Sequence, residues 1–212
     1  MIARGLYVAT AVALVGLLFA QYRRSQTGVW VAKPLASTGF IAVALAAGAV
    51  QTPYGLAVLA ALALCWVGDV FLIPKGAKAP FLVGLTSFLL GHVGFVVAFA
   101  LCGPDRLWTA AATALALLPA FAVLRWLRPH LSSRMKTPVI AYVAVISVML
   151  VTAVGAAAST DRAAIAVGAI CFYLSDLSVA RHRFVAESFW NKSWGLPLYY
   201  GAQLILASTV SG

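Results

Sequence analysis

Only five acidic residues occur among the 212 of this chain, and two of them stand where an ionised carboxylate is costly. Asp69 lies in Leu64-Cys65-Trp66-Val67-Gly68-Asp69-Val70-Phe71-Leu72, and Asp176 in Cys171-Phe172-Tyr173-Leu174-Ser175-Asp176-Leu177. In runs this apolar a charge costs about 3 kcal/mol or more unless it is paired or hydrated, so each carboxylate belongs inside a helix bundle or on a cavity. Asp105, Asp161 and Glu187 fall between apolar segments, where solvation is enough. Two carboxyls that meet in a low-dielectric site hold one proton between them, because two adjacent like charges are unfavourable. Such a pair suits general acid–base catalysis or a proton relay across a membrane. The plainer alternative is that each aspartate is the structural partner of a nearby lysine or arginine.

The elements that position these residues follow from composition. Hydrophobic residues make up 63% of the chain and charged residues 9%, against about 25% charged in a soluble domain. That much apolar surface requires lipid as its solvent. A spanning helix needs about 20 mostly apolar residues, and the segments that qualify are 4–22, 33–50, 54–74, 80–101, 107–127, 136–157, 162–180 and 194–211. The expectation is an all-α integral membrane protein, a bundle of about eight transmembrane helices forming one domain over 1–212. The first segment has the look of a signal peptide. Gln21, Tyr22, Arg23 and Arg24 follow it rather than a small-residue cleavage site, so it reads as a retained helix.

The loops carry the orientation. Arg23, Arg24, Lys33, Lys75, Lys78, Arg125, Arg128, Arg134, Lys136, Arg181, Arg183 and Lys192 border the odd-numbered connections, against Arg4, Arg106 and Arg162 on the other side. Twelve against three places the odd connections in the cytoplasm and both termini outside a cell membrane; the alanine-rich composition points to a bacterial inner membrane. The net charge of +10 is therefore a loop property rather than a nucleic-acid surface. Cys65, Cys102 and Cys171 have no paired spacing and read as small packing residues. No metal or cofactor is expected: zinc hydrolysis needs three protein ligands, and His92 is the one intramembrane histidine.

Both aspartates sit about one turn before a basic connection, roughly 6–8 Å from the cytoplasmic end at ~1.5 Å per residue. Carboxylates at one depth on different helices can meet. Other polar groups gather near that level. Lys33 opens the second segment with Pro34 behind it, a position suited to a helix start. Tyr199, Tyr200 and Gln203 share one face of the last helix by their spacing. A tyrosine there also serves as an interfacial anchor, which Gln203 does not. On the fourth helix Gly84, Ser87, Gly91 and Phe95 form a face whose glycines read as close packing. His92 beside them is either a core hydrogen-bonder or a wall of the same pocket.

This ordered set resembles the lysoplasmalogenase family, the YhhN-like membrane proteins. The matching pieces are Lys33-Pro34, Gly68-Asp69, Gly84-Leu85 through Phe88 to Gly91-His92, Ser175-Asp176, and Tyr199-Tyr200 through Gln203. Phe95 departs from it, standing where the family pattern leads one to expect a tyrosine. The resemblance implies a hydrolase of the lysoplasmalogen vinyl ether, a single-chain ether phospholipid, with release of a fatty aldehyde. It implies Asp69 and Asp176 as the catalytic pair, with Lys33, His92, Tyr199, Tyr200 and Gln203 around the substrate and Lys33 at the rim as a holder of its phosphate. The rival class is a proton-coupled transporter of lipids or small molecules built on the same two aspartates. Oligomeric state is left open by the sequence.

Overall fold

The structure, a computed structural model, describes residues 2–74 and 76–211; Lys75, one of the loop cations counted above, lies outside them. Eight α-helices follow one another: α1 Ile2–Tyr22, α2 Gln26–Ala46, α3 Pro53–Phe71, α4 Lys78–Leu101, α5 Arg106–Leu127, α6 Ser133–Thr160, α7 Ala163–Ala180 and α8 Phe189–Ser208. No strand occurs among the described residues. The largest departures from the expected segments are two helix starts. Ser25 caps α2, its hydroxyl accepting from the Gly28 N–H at 3.2 Å, and Ser188 does the same for α8 with the Trp190 N–H at 3.2 Å. Each cap satisfies an orphan donor of the first turn and lets helix begin earlier than apolar content alone suggests. Lys33 and Pro34 are thus inside α2, not at its start. A proline in that position is tolerated because neighbouring helices hold the segment.

The connections sort into two ends. At one, the Gln26 side-chain amide donates to the Ile73 carbonyl at 3.0 Å and the Lys192 ammonium to Gln21 Oε1 at 2.8 Å. The Arg183 guanidinium lies over the Phe81 ring there, 4.0 Å from its centroid. At the other end, the Asp105 N–H donates to the Gly155 carbonyl at 3.0 Å, and Arg162 Nη1 to the Thr209 carbonyl at 3.1 Å. Every helix therefore runs the length of the bundle, antiparallel to the next. Among the described residues seven helices, α1 to α7, are long and apolar enough to cross a membrane by length and composition. α8 falls short because Asn191, Lys192, Tyr199, Tyr200 and Gln203 lower its hydropathy. It packs against α1, α2, α3 and α7, and most of those polar groups point inward, Gln203 and Tyr200 with no exposure at all.

Glycines set the closest helix pair. A Cβ on Gly68 of α3 would lie 2.7 Å from the Phe88 ring, and one on Gly84 of α4 would lie 2.8 Å from Leu72 and 3.2 Å from the Gly68 carbonyl. Their absence lets the two backbones approach, which brings Asp69, the next residue on α3, beside the α4 face that carries Phe88 and His92. The main apolar cluster draws buried residues from every helix but α5. That helix leans on α6 and buries only Ala116 and Leu127.

Candidate active site

Asp69 of α3 is enclosed by donors from two other helices, α2 and α8. From α2, Lys33 Nζ lies 3.1 Å from Oδ1 and also donates to the Asp69 main-chain carbonyl at 2.9 Å. One turn on, the Ser37 hydroxyl donates to Oδ2 at 2.7 Å, and from α8 the Tyr199 hydroxyl donates to the same oxygen at 2.7 Å. Tyr200 backs this group, 3.1 Å from Ser37 Oγ and 3.3 Å from the Lys33 carbonyl. Three donors and no acceptor around one carboxylate is the environment of an anion. The side chain is 3% exposed, so the pair with Lys33 is a buried one.

Asp176 is held differently. On α6 the Tyr142 hydroxyl donates to its Oδ2 at 2.8 Å, and His92 Nε2 of α4 stands 3.4 Å from the same atom. The other ring nitrogen of His92, Nδ1, is 2.6 Å from the Phe88 carbonyl. That carbonyl can only accept, so Nδ1 carries a hydrogen, while Nε2 faces Asp176 without a hydrogen bond of its own. The imidazole is fully buried, wedged at 4.4 Å between ring centroids against Phe172 and at 5.3 Å against Tyr142. Asp176 is 16% exposed, and its carboxyl opens onto a cavity.

That cavity, of about 520 Å³, has Lys33, Asp69, Asp176, Tyr142 and Tyr199 in its walls. Its lining divides by chemistry. Toward the basic end stand Gln21, Gln26, Asn191 and Lys192, and along α5 and α6 stand Leu127, Val139, Val143 and Ile146. The two aspartates thus share one cavity, as their matched depth implied. The expected direct pairing is absent: among the described residues each carboxylate has its own partners and no hydrogen bond joins the two. Lys33 is also corrected. Its ammonium pairs with Asp69 inside the bundle rather than standing at the rim, and the residue is 8% exposed.

His92, Tyr200 and Gln203 lie behind the cavity surface rather than on it. Gln203 is fully buried, with neither amide atom in a hydrogen bond and the Cys65 thiol as a polar neighbour. Phe95 is packed between Phe99 and Phe172, with no hydroxyl to add to the site. Two contributors escaped the sequence reading, Ser37 and Tyr142. The sequence carries their depth but not their contacts: Ser37 is one turn from Lys33, and Tyr142 follows the basic Lys136 by six residues, the interval that separates Asp69 from Lys75. No group of three histidine, cysteine, aspartate or glutamate side chains placed to hold a metal occurs among the described residues.

A helical membrane bundle with buried carboxylates around an internal cavity is the class that fold and site define. The chain belongs to the YhhN family, whose model matches residues 28–210. It is similar to a lysoplasmalogenase of Mycobacterium bovis (strain ATCC BAA-935 / AF2122/97), 33% identical over 168 residues, which cover 76% of this chain and 62% of the relative. A lysoplasmalogenase of Mycobacterium tuberculosis (strain CDC 1551 / Oshkosh) matches to the same extent. The chain thus spans about 62% of the length of these relatives. No solved structure matches it.

Proposed function

We propose that this protein hydrolyses the vinyl ether bond of lysoplasmalogen-type lipids, the reaction its relatives' name describes. The observation that supports the reading is the unlike pair of carboxyls on one cavity: Asp69 surrounded by three donors, and Asp176 with one tyrosine hydroxyl and the His92 imidazole 3.4 Å away. Vinyl ether hydrolysis starts with proton transfer to carbon. The protonated Asp176 carboxyl gives its proton to the alkenyl carbon one bond removed from the C–O carbon, and the π electrons form the new C–H bond. The ether oxygen then stabilises an oxocarbenium ion. Asp69 and the carboxylate left on Asp176 lower the energy of this cation in a low-dielectric site. Water adds to the cationic carbon and yields its proton to the Asp176 carboxylate, restoring the acid. The hemiacetal collapses to a fatty aldehyde and the glycerophospho-headgroup.

The walls suit such a substrate. Its scissile bond lies between a hydrocarbon chain and a charged headgroup, and the cavity has an apolar side and a polar, basic mouth. The mouth faces the cytoplasm in this reading, with both termini outside. A cysteine at Ser188 labelled by an impermeant reagent from outside intact cells would reverse that orientation.

The reaction is tested by mass spectrometry of products from a lysoplasmenyl lipid and from its saturated ether analogue. Aldehyde is expected from the first alone, since the second has no π bond to protonate. In heavy water the aldehyde gains one deuterium on the carbon next to the carbonyl. An intact lipid moved across the bilayer with no aldehyde formed would replace hydrolysis by transport.

A further inference from the structure

We infer that Arg183 holds the phosphate of the substrate, so that the site takes a lysophospholipid in preference to the neutral glycerol ether. The inference rests on the lipid reading above and adds to it the group that recognises the headgroup. Arg183 follows Asp176 by seven residues, on the π-helical turn Arg181–Val185 that continues α7. The Ala186 N–H closes this turn on the Arg181 carbonyl at 2.8 Å. One continuous stretch of helix thus carries both the acid and the guanidinium, and both line the cavity. Their backbones are about 10 Å apart along it, at ~1.5 Å per residue. From the carbon that takes the proton to the phosphorus of a lysoplasmalogen there are about seven bonds, or ~8 Å at ~1.2 Å per bond of extended chain. A lipid with its vinyl ether at Asp176 therefore brings its phosphate to the level of Arg183.

α4 supplies the second observation. Phe81, Leu85 and Phe88 line the cavity and share one helix face by their spacing. The wall that starts beside His92 therefore ends at the mouth on the Phe81 ring. The Arg183 guanidinium lies over that ring, 4.0 Å from its centroid. An aromatic face holds the cation in place without using up its N–H donors. Two other cations of the wall are engaged elsewhere: Lys33 pairs with Asp69, and Lys192 donates to Gln21 Oε1 at 2.8 Å. Among the described residues no carboxylate pairs with Arg183, and Glu187 of the mouth stands 3.9 Å from His182 Nε2. A phosphodiester offers two anionic oxygens, which match the guanidinium fork.

The test uses the full chain in neutral detergent, with a saturated-ether lysophosphatidylethanolamine and the alkylglycerol of the same chain, neither of which can be turned over. Thermal stabilisation gives the two affinities. Wild type is expected to prefer the phospholipid, and Arg183→Gln to lose about 10-fold of that preference. Arg183→Lys recovers part of it, since an ammonium keeps the charge but not the fork. A second readout needs no variant. Phenylglyoxal modifies the exposed Arg183, and peptide mapping should show protection by the lysophospholipid but not by the alkylglycerol or by inorganic phosphate at equal concentration. An unchanged preference in Arg183→Gln, or equal protection by the alkylglycerol, overturns the proposal. Equal protection by inorganic phosphate would make this a free-anion site and overturns it too. Loss of the preference in a protein that never releases aldehyde would sink the hydrolase reading alone; aldehyde release with the preference intact in Arg183→Gln would sink the phosphate site alone.

Discussion

Asp69 and Asp176 open onto one cavity, yet the bundle treats them in opposite ways. Around Asp69, two helices bring an ammonium and two hydroxyls, and almost nothing of the side chain is left exposed. Around Asp176, one hydroxyl and one imidazole approach the same oxygen. The first arrangement fixes a negative charge and gives it nothing to release. The second leaves room for a proton to be held, donated and taken back. In the proposed reaction a symmetrical pair sharing one proton between the two carboxyls gives way to a division of labour, with His92 Nε2 standing 3.4 Å from Asp176. Catalysis by two like groups needs such a division, since acid and anion must be different residues at the same moment.

The largest effect that separates the two is on turnover. Asp176→Asn keeps the shape and the Tyr142 contact but cannot deliver a proton to carbon, so kcat is expected to fall by about 10²–10⁴-fold with thermal stability close to wild type. Rate measurements beside melting curves read both. Equal destabilisation by Asp176→Asn and Asp69→Asn would erase the distinction drawn here.

The next effect is on stability. Lys33→Met leaves the Asp69 carboxylate buried beside two hydroxyls with no cation, and breaking a buried ion pair from one side costs about 3–5 kcal/mol. Removing both charges in Lys33→Met with Asp69→Leu is expected to recover much of that loss, because no uncompensated charge remains. Denaturation of the two single variants and the double variant completes the cycle. Additive losses would mean that Lys33 and Asp69 are not energetically coupled, and the anion assigned to Asp69 would lose its support.

Much of this was legible in the sequence, and the parts that were not have a common cause. Hydropathy found eight segments and the described residues form eight helices, since lipid forces a crossing segment to satisfy its own backbone. Asp69 and Asp176 stood out because charge is rare in such segments. The starts of α2 and α8 were missed because Ser25 and Ser188 begin helix in polar sequence. That error moved Lys33 from inside the bundle to its rim and hid its bond to Asp69. Which partner each aspartate has depends on how α2, α4, α6 and α8 rotate about their axes. No pattern within a single helix contains that, so the roles of Ser37, Tyr142 and His92 needed the packed structure.

The smallest effect expected is the most specific. The Tyr142 hydroxyl makes one contact of consequence, donating to Asp176 Oδ2 at 2.8 Å, while its ring rests against His92 with centroids 5.3 Å apart. Tyr142→Phe keeps the ring, and with it the cavity wall and the packing on His92. What it removes is a hydrogen bond to the carboxylate that forms as Asp176 gives up its proton. A hydrogen bond to a charged group contributes about 1.5–3 kcal/mol, so the rate should fall roughly 10–100-fold. Because that charge is greatest in the transition state, the loss should appear in kcat with KM little changed. A raised KM at constant kcat would make Tyr142 a wall residue only. A lowered melting temperature with kcat intact would make its bond to Asp176 structural, and the acid would then have to be sought at Asp69.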